Sequence, residues 1–496
     1  MLPLGILLWI SCACASPTPL PGATPTSPVP HVPPPPQPTV FVSNPRFARR
    51  NILTDLDGDV NSILSGLGSA IPSYVASGVP NFFQDFPTGT AVQSSLGLAD
   101  ADVAALPTQV LNLPSYANWT GQGWSLVVHG NVFKQPNISQ DKLDDLANAF
   151  LIDTSVSQLP ADQAAQARNL TAEIYVIQQA NVNVTMSLVP ITPAGKSNGT
   201  SQTITVGPTS PEGDFDSPML IPDPKRQLQP GNETNGIQHM SVHVNGTDTG
   251  NATAYLVPPT GLTIISDIDD ILRVTKIYEP KEGLLNSFAR AFTPWMDMPD
   301  IYANWSKALP ELHFHYLTTT PEQVTRNYMQ FIYATYPLGS FDTRPLNFSD
   351  VSATLSIRKF LLDRIFQTYP QRKFVLVADT SNSDVMKDYP QMATDFPGQV
   401  QCILLRNTSA TDSGDQFPYD TSGFKGLPQS MYMFFTVPDD LKGLDLSTQC
   451  YNSSVKQNVT FEYQGLPFGN DASALFPRAS TLISVLIVAI CVFVGV

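Results

Sequence analysis

The 496-residue sequence is poor in charge: Asp, Glu, Lys and Arg make up 14% of it, against the roughly 25% usual for soluble domains. What charge there is has one dominant sign. With 27 basic and 42 acidic residues the formal net charge is −15, so no nucleic-acid partner is expected, because such binding needs basic patches that displace counterions. Cysteine is scarce as well. Five residues in a chain this long exclude a disulfide-stapled mini-protein, and the length itself points to about three domains. No internal repeat is visible.

Proline, by contrast, is abundant, 45 residues. Thirteen Asn-x-Ser/Thr sequons punctuate the chain: Asn118, Asn137, Asn169, Asn183, Asn198, Asn232, Asn245, Asn251, Asn304, Asn347, Asn407, Asn452 and Asn458. None has proline in the middle. Such sequons accept sugar only in the secretory pathway, and glycans would keep a low-charge, proline-rich chain soluble.

Both ends agree with export. Residues 1–15 (MLPLGILLWISCACA) combine an apolar run with Ala13-Cys14-Ala15 before Ser16, the pattern of a cleaved signal peptide. Residues 479–496 are apolar to the last residue, and small residues around Gly469-Asn470-Asp471-Ala472-Ser473 precede them. Small site, spacer and hydrophobic tail over 471–496 read as a lipid (GPI) anchor signal; a terminal transmembrane helix is the alternative reading. Cell-surface or extracellular localisation follows from either. Cys12, Cys14 and Cys491 would leave with these segments. Cys402 and Cys450 would remain, an even pair that reads as one disulfide in an oxidising compartment.

Between the ends the grammar changes several times. Residues 16–48 form a proline-rich stalk, with twelve prolines by residue 45. The segment 49–114 is weakly periodic, with a helix expected through Ile52–Leu67. Over 115–258 alternating runs predict a mostly antiparallel β-domain, with strands at 124–130, 172–177, 182–189 and 238–244 and a helical insertion over 140–170. From 259 to 445 strands and helices alternate: short apolar runs at 262–265, 312–317, 374–377 and 402–405, with helices at 321–336, 351–368 and 384–395. Such alternation predicts an α/β domain with a parallel sheet. Residues 281–311, which include Trp295 and Trp305, read as an inserted cap, and 446–470 as a C-terminal segment.

Three of these strands end in polar residues: Ser266-Asp267-Ile268-Asp269-Asp270, Thr318-Thr319-Thr320 and Ala378-Asp379-Thr380. In an open α/β sheet the ligand site lies just beyond the carboxyl ends of the strands. Asp267 and Asp269 are spaced so that one carboxylate can attack phosphorus while the other handles protons. An anion approaching an anion needs a divalent cation, and hard oxygen ligands suit Mg²⁺, with Asp379 able to complete its site. Thr318 and a cation at Arg358 or Lys359 can hold phosphoryl oxygens. His313 with His315, and His239 with His243, share strand faces and read as core or surface pairs, since neither has a third metal ligand.

The order strand-Asp-x-Asp, strand-Thr, Arg/Lys, strand-Asp resembles the haloacid-dehalogenase superfamily. More closely, SDIDD, FHYLTTTP and KFVLVADTSNSD resemble the catalytic domain of the actin-patch type phosphatidate phosphatases over about 260–408. The resemblance implies a Rossmann-like parallel sheet for 259–445, with Asp267 as nucleophile and Asp269 as general acid/base. It implies Mg²⁺ held by Asp267, Asp379 and the carbonyl of Asp269 with Asp384 assisting, and phosphate contacts from Thr318 and Arg358 or Lys359. The implied substrate is phosphatidate or a related lipid phosphate, and the tail would tie the protein to a membrane. The pattern departs at Ile271, Ala378 and Asn382. Two alternatives stay open: a weak or inactive fold used for binding at the cell surface, and an extracellular phosphatase of other phosphomonoesters.

Overall fold

Strict alternation of inward and outward side chains marks the first sheet, as in Gln202–Val206, where Gln202, Ile204 and Val206 are buried and Thr203 and Thr205 face out. The computed structural model describes residues 89–191, 200–223, 226, 228–231, 236–344, 357–412, 419–448, 450–457, 459–461 and 463–464, all within the compact unit Arg50–Val496. The signal, stalk, Ile52–Leu67 and anchor readings lie outside the described residues, as do Asn198, Asn232, Asn347 and Asn458. Among the described residues no helix is long and apolar enough to cross a membrane.

Two short helices, Gly89–Ser95 (α1) and Asp100–Ala105 (α2), lead into nine strands. These are Thr108–Asn112 (β1), Tyr116–Thr120 (β2), Gly123–Lys134 (β3), Ile177–Gln178 (β4), Val184–Ile191 (β5), Gln202–Val206 (β6), Asp214–Leu220 (β7), Gln238–Val244 (β8) and Ala252–Leu256 (β9). They form one sheet in the order β1-β3-β2-β9-β8-β5-β6, with β4 and β7 also paired to β3. Every pairing is antiparallel except β2 with β9. Helices Gln140–Asn148 (α3) and Ala161–Ile174 (α4) are the insertion.

The strand expected at 172–177 is corrected: helix α4 continues to Ile174, and only Ile177–Gln178 pairs as strand. The reason is periodicity over a longer window. Ala164, Ala167, Leu170, Thr171 and Ile174 are buried at helical spacing, and that stripe prevails over the local β-favouring run Ile-Tyr-Val-Ile.

The second sheet is wholly parallel. It comprises Leu262–Ser266 (β10), His313–Pro321 (β11), Ser340–Arg344 (β12), Lys373–Asp379 (β13), Val400–Arg406 (β14) and, after the two-residue strand Tyr419–Asp420 (β15), Tyr432–Phe435 (β16). Strand β15 pairs separately with Tyr463–Gln464 (β17). The spatial order is β12-β11-β10-β13-β14-β16. Counted along the chain, the strands lie in the doubly wound arrangement third-second-first-fourth-fifth-sixth, whose topological switch point falls between β10 and β13. Helices Pro280–Phe288 (α5), Met298–Ala308 (α6), Glu322–Thr335 (α7), Ile357–Thr368 (α8), Ser383–Asp395 (α9) and Thr408–Thr411 (α10) connect them. The chain is thus mixed α/β, with a parallel sheet beside a mostly antiparallel one.

The two sheets share a core. Tyr116, Tyr255 and Val257 pack with Leu361, Leu362, Ile365 and Phe366 of α8. The backbone N–H of Phe341 on β12, the edge of the parallel sheet, donates to the carbonyl of Pro114 at 2.9 Å, so that edge is covered. Trp295 and Trp305 are buried: Trp295 packs on Phe435 and on the Arg406 guanidinium, and Trp305 on Tyr302. Cys402 on β14 is bonded to Cys450, with Cα atoms 5.2 Å apart.

Candidate active site

Asp267 stands one residue past β10, at the switch point. Its backbone N–H donates to the carbonyl of Val377 on β13 at 2.8 Å, continuing the ladder and aiming the side chain beyond the carboxyl ends of both strands. One carboxylate oxygen, Oδ1, accepts from the N–H of Ile268 at 2.9 Å, and Oδ2 lies 2.9 Å from Nη2 of Arg358. Burial pushes its pKa up to about 6 against the pull of Arg358, with Asp269 adding to the rise.

Asp269 is half-buried and held on one side. Its Oδ1 accepts from Nε and Nη2 of Arg273, at 3.0 and 2.8 Å, and from the Thr275 hydroxyl at 2.7 Å. Its Oδ2 is left with a long contact to the Thr320 hydroxyl, 3.5 Å. The loop that brings Arg273 and Thr275 back is organised by Asp270. This residue takes a left-handed conformation (φ 57°), which Asp tolerates better than most residues. Its carboxylate accepts from the backbone N–H groups of Thr275, Lys276 and Ile277 at 3.1, 2.8 and 3.2 Å, and its carbonyl accepts from Arg406 at 2.5 Å.

Asp379 closes β13, buried, with Oδ1 accepting from the N–H of Ser381 at 2.7 Å and from its hydroxyl. Burial pushes its pKa up to about 8, and the charges of Asp270 and Asp267 add to this. Thr318, on β11, accepts from the N–H of Thr320 at 3.1 Å. Asp267, Asp269, Thr318, Arg358 and Asp379 line one cleft, with Arg273, Thr275, Thr319, Thr320, Ser287 and Asn382.

Two expected residues are placed elsewhere. Lys359 points away from the cleft into ion pairs with Asp363 (2.6 Å) and Asp395 (2.8 Å); the helix turn carrying Arg358 inward necessarily swings its neighbour outward. This corrects Lys359 as a phosphate contact. Asp384 is not among the cleft-lining residues. It sits at the start of α9, where Asn382 caps its N–H at 3.0 Å, and burial raises its pKa to about 7 in spite of nearby Arg358.

The residues present fit a hard divalent cation through Asp267 and Asp379. Among the described residues no three His, Cys, Asp or Glu side chains converge as a preformed cage, and the Asp269 carboxylate is engaged by Arg273 and Thr275. Asp267 and Asp379 do face the same cleft, two buried carboxylates whose charges oppose each other. Mg²⁺ is suited to such a site, since it keeps several waters and takes only one or two carboxylates plus substrate oxygens.

The histidine pairs serve packing. Ser340 Oγ bridges Nε2 of His313 (3.1 Å) and Nδ1 of His315 (2.7 Å), and His315 also meets Asp342 at 3.3 Å. His239 packs edge-on to Tyr255, and His243 bonds Ser241 and Asn251. At the departures from the family pattern, Ile271 and Ala378 are fully buried and Asn382 caps α9. Of the described sequons Asn137, Asn169, Asn183, Asn245, Asn251 and Asn304 are exposed, while Asn118, Asn407 and Asn452 are half-buried. Arg273 and Thr275 were not singled out from the sequence. The available signal was the four-residue spacing from Asp269 to Arg273, which carries meaning only once the chain is known to turn back there.

Comparison with known proteins picks out the same stretch. Residues 262–407 match the family model described as phosphatidate phosphatase APP1, catalytic domain. A curated relative, phosphatidate phosphatase APP1 of Saccharomyces cerevisiae, is 29% identical over 161 residues. That alignment covers 31% of this chain and 27% of the relative, so the chain spans about a quarter of the relative's length. Segment 262–407 therefore carries the sequence pattern of that catalytic-domain family, in line with the resemblance of SDIDD, FHYLTTTP and KFVLVADTSNSD. Among solved structures, a GH2 β-galacturonidase from Eisenbergiella tayi gives a TM-score of 0.21 at 8% identity, covering 60% of this chain and 50% of that one. A ferredoxin-NADP⁺ reductase mutant from Plasmodium falciparum gives 0.12 at 8% identity, covering 61% and 97%. Both scores are too low to assign a fold.

Proposed function

We propose that this protein is a Mg²⁺-dependent phosphatase of the haloacid-dehalogenase type that hydrolyses phosphatidate, or a related lipid phosphate, to diacylglycerol and phosphate. The observation that carries the reading is the meeting of Asp267, Asp269 and Asp379 with Arg358 in one cleft at the switch point of a doubly wound sheet. The family match over 262–407 supports a lipid phosphate as the substrate class.

Each side chain then has a task. The Asp267 carboxylate attacks phosphorus. A bond from its oxygen to phosphorus forms as the ester P–O bond breaks, giving an aspartyl-phosphate. Asp269 gives a proton to the departing alkoxide through Oδ2, the oxygen left open by Arg273 and Thr275. A water then attacks phosphorus, Asp269 takes its proton, and phosphate leaves with Asp267 restored. Arg358 and Thr318 hold the transferred phosphoryl oxygens. Asp267 and Asp379 would hold Mg²⁺, which would neutralise part of the charge that otherwise keeps an anionic nucleophile from a phosphate dianion.

The signal-like start, the sequons and the apolar tail support action in the secretory pathway or at the cell surface, with residues 471–496 as the membrane attachment. The same features, with a net charge of −15 that disfavours anionic membranes, favour a second reading in which the substrate is another extracellular phosphomonoester. Phosphate release from a panel containing phosphatidate, lysophosphatidate and water-soluble phosphomonoesters separates the two. Release from lipid substrates alone supports the first, release from soluble esters alone the second, and release from none rejects both.

A further inference from the structure

Arg273 holds Asp269 with one edge of its guanidinium and leaves the other edge unused. Nε and Nη2 lie 3.0 and 2.8 Å from Oδ1 of Asp269, and Nη2 reaches the Ser287 hydroxyl at 3.5 Å. Nη1 is buried and forms no hydrogen bond. The residue is 2% exposed and lines the cleft with Asp267, Thr318 and Arg358. Its guanidinium carbon lies over the Tyr328 ring at 4.3 Å and the Phe292 ring at 5.2 Å, so the plane is fixed by stacking and does not swing to solvent. A buried N–H donor without an acceptor is costly, and here it belongs to a cation lining the cleft where a phosphate is proposed to bind.

Arg358 repeats the arrangement on the other carboxylate. Its Nη2 meets Oδ2 of Asp267 at 2.9 Å, while Nε and Nη1 form no hydrogen bond. Each aspartate of the Asp-x-Asp pair is thus gripped by one guanidinium that keeps a buried donor in reserve. Two planar forks lining one small cleft are a donor set for a tetrahedral oxyanion.

We propose that Arg273 is a second phosphate-binding arginine of this site, and that it also positions Asp269 by occupying Oδ1 so that Oδ2 is the oxygen available for proton transfer. The proposal rests on the phosphatase reading for its substrate, but its anion contact can be tested without turnover.

The test is titration of the full chain with inorganic orthophosphate in the presence of Mg²⁺, by calorimetry, for wild type, Arg273→Gln and Arg273→Lys. Arg273→Gln is expected to bind at least ~10-fold more weakly, the loss typical of a charge-assisted contact. Arg273→Lys keeps the charge and the stem, so it carries the test where Gln does not fold; it is expected to bind at least ~3-fold more weakly than wild type, a smaller loss than for Gln, since one ammonium cannot serve Asp269 and phosphate together. In steady-state turnover a raised KM reports the lost phosphate contact and a lowered kcat the loosened Asp269, whereas a purely structural role would move neither in a folded variant. Affinity within twofold of wild type in a folded Lys or Gln variant overturns the proposal, as does a wild type that binds no orthophosphate. Arg273-dependent binding in a protein that hydrolyses nothing keeps the anion site and rejects the phosphatase reading.

Discussion

Arg364 Nη1 lies 2.6 Å from Oδ2 of Asp216, and this ion pair joins helix α8 of the parallel sheet to strand β7 of the antiparallel one. The other arm of the same guanidinium reaches Asp342 on edge strand β12 at 2.7 Å. Arg358, which grips Asp267, lies on that helix six residues earlier. The nine-stranded sheet therefore bears on where α8, and with it the arginine of the site, sits.

Removing the arginine should cost far more than removing its outer partner. Asp216 is partly exposed, so Asp216→Asn is expected to lower stability by only about 0.5–1 kcal/mol. Arg364→Met leaves Asp342 charged and buried, at a cost of about 3–5 kcal/mol. Denaturant unfolding of the two variants measures the difference, and equal losses would contradict this account of the junction.

Asp342 also gives the junction an acid limit. Burial by itself would raise its carboxyl, but Arg364 and His315 hold it down to about 2. A carboxylate depressed in the folded state contributes stability that is complete above its unfolded value near 4 and is lost as pH falls towards 2. The contribution is on the order of 2 kcal/mol. Melting temperature followed from pH 5 to 2 should drop more steeply for wild type than for Asp342→Asn.

Glu322 behaves in the opposite sense. It opens α7 directly after the Thr318–Pro321 stretch, fully buried, with His129 at 3.3 Å. Burial raises its pKa to about 7; Asp214, Arg326 and Asn131 counter that rise, while Asp216 adds to it. Asp214 is itself raised by burial and by Glu322. A carboxyl whose folded pKa exceeds its unfolded one binds more protons when folded, so stability falls as pH rises from about 4.5 to 7. Glu322→Gln should flatten that stretch of the stability curve, and an unchanged slope would show that the group does not titrate there.

The neighbours Arg358 and Lys359 should separate cleanly. Lys359→Ala breaks two partly exposed ion pairs, so turnover is expected to stay within about twofold, with under ~1 kcal/mol lost. Arg358→Ala removes a buried guanidinium from Asp267 and is expected to lower kcat/KM by at least ~10²-fold. Kinetics of both variants on one substrate decide the assignment.

The disulfide joins β14 to the C-terminal segment across 48 residues. For a loop of that length the chain-entropy relation gives about 4 kcal/mol. Cys450→Ser should lose stability of that order in oxidising buffer, whereas a loss below ~1 kcal/mol would mean the loop is already constrained in the unfolded chain.

The parts of this architecture legible in the sequence are those dictated by local patterning. Strands β10, β13 and β14 are continuous apolar runs, as a sheet covered on both faces requires, and Asp267 and Asp379 follow from where those runs end. Strand β12 is not legible, because Ser-Phe-Asp-Thr-Arg reads as polar. It is buried only because Ser340 meets His313 and His315 and Asp342 meets Arg364, His315 and Tyr116, partners distant in sequence. The choice between Arg358 and Lys359 needed the rotation of α8, which the first residues of a helix do not reveal. Arg273 was hidden for the same kind of reason, since its role depends on the left-handed turn at Asp270.

The most direct test of the central claim is phosphate release from phosphatidate by the purified protein, with Mg²⁺ and with EDTA, beside Asp267→Asn. The account predicts release that needs the metal and falls at least ~10³-fold in the variant. Metal-independent release, or release retained by Asp267→Asn, would contradict it.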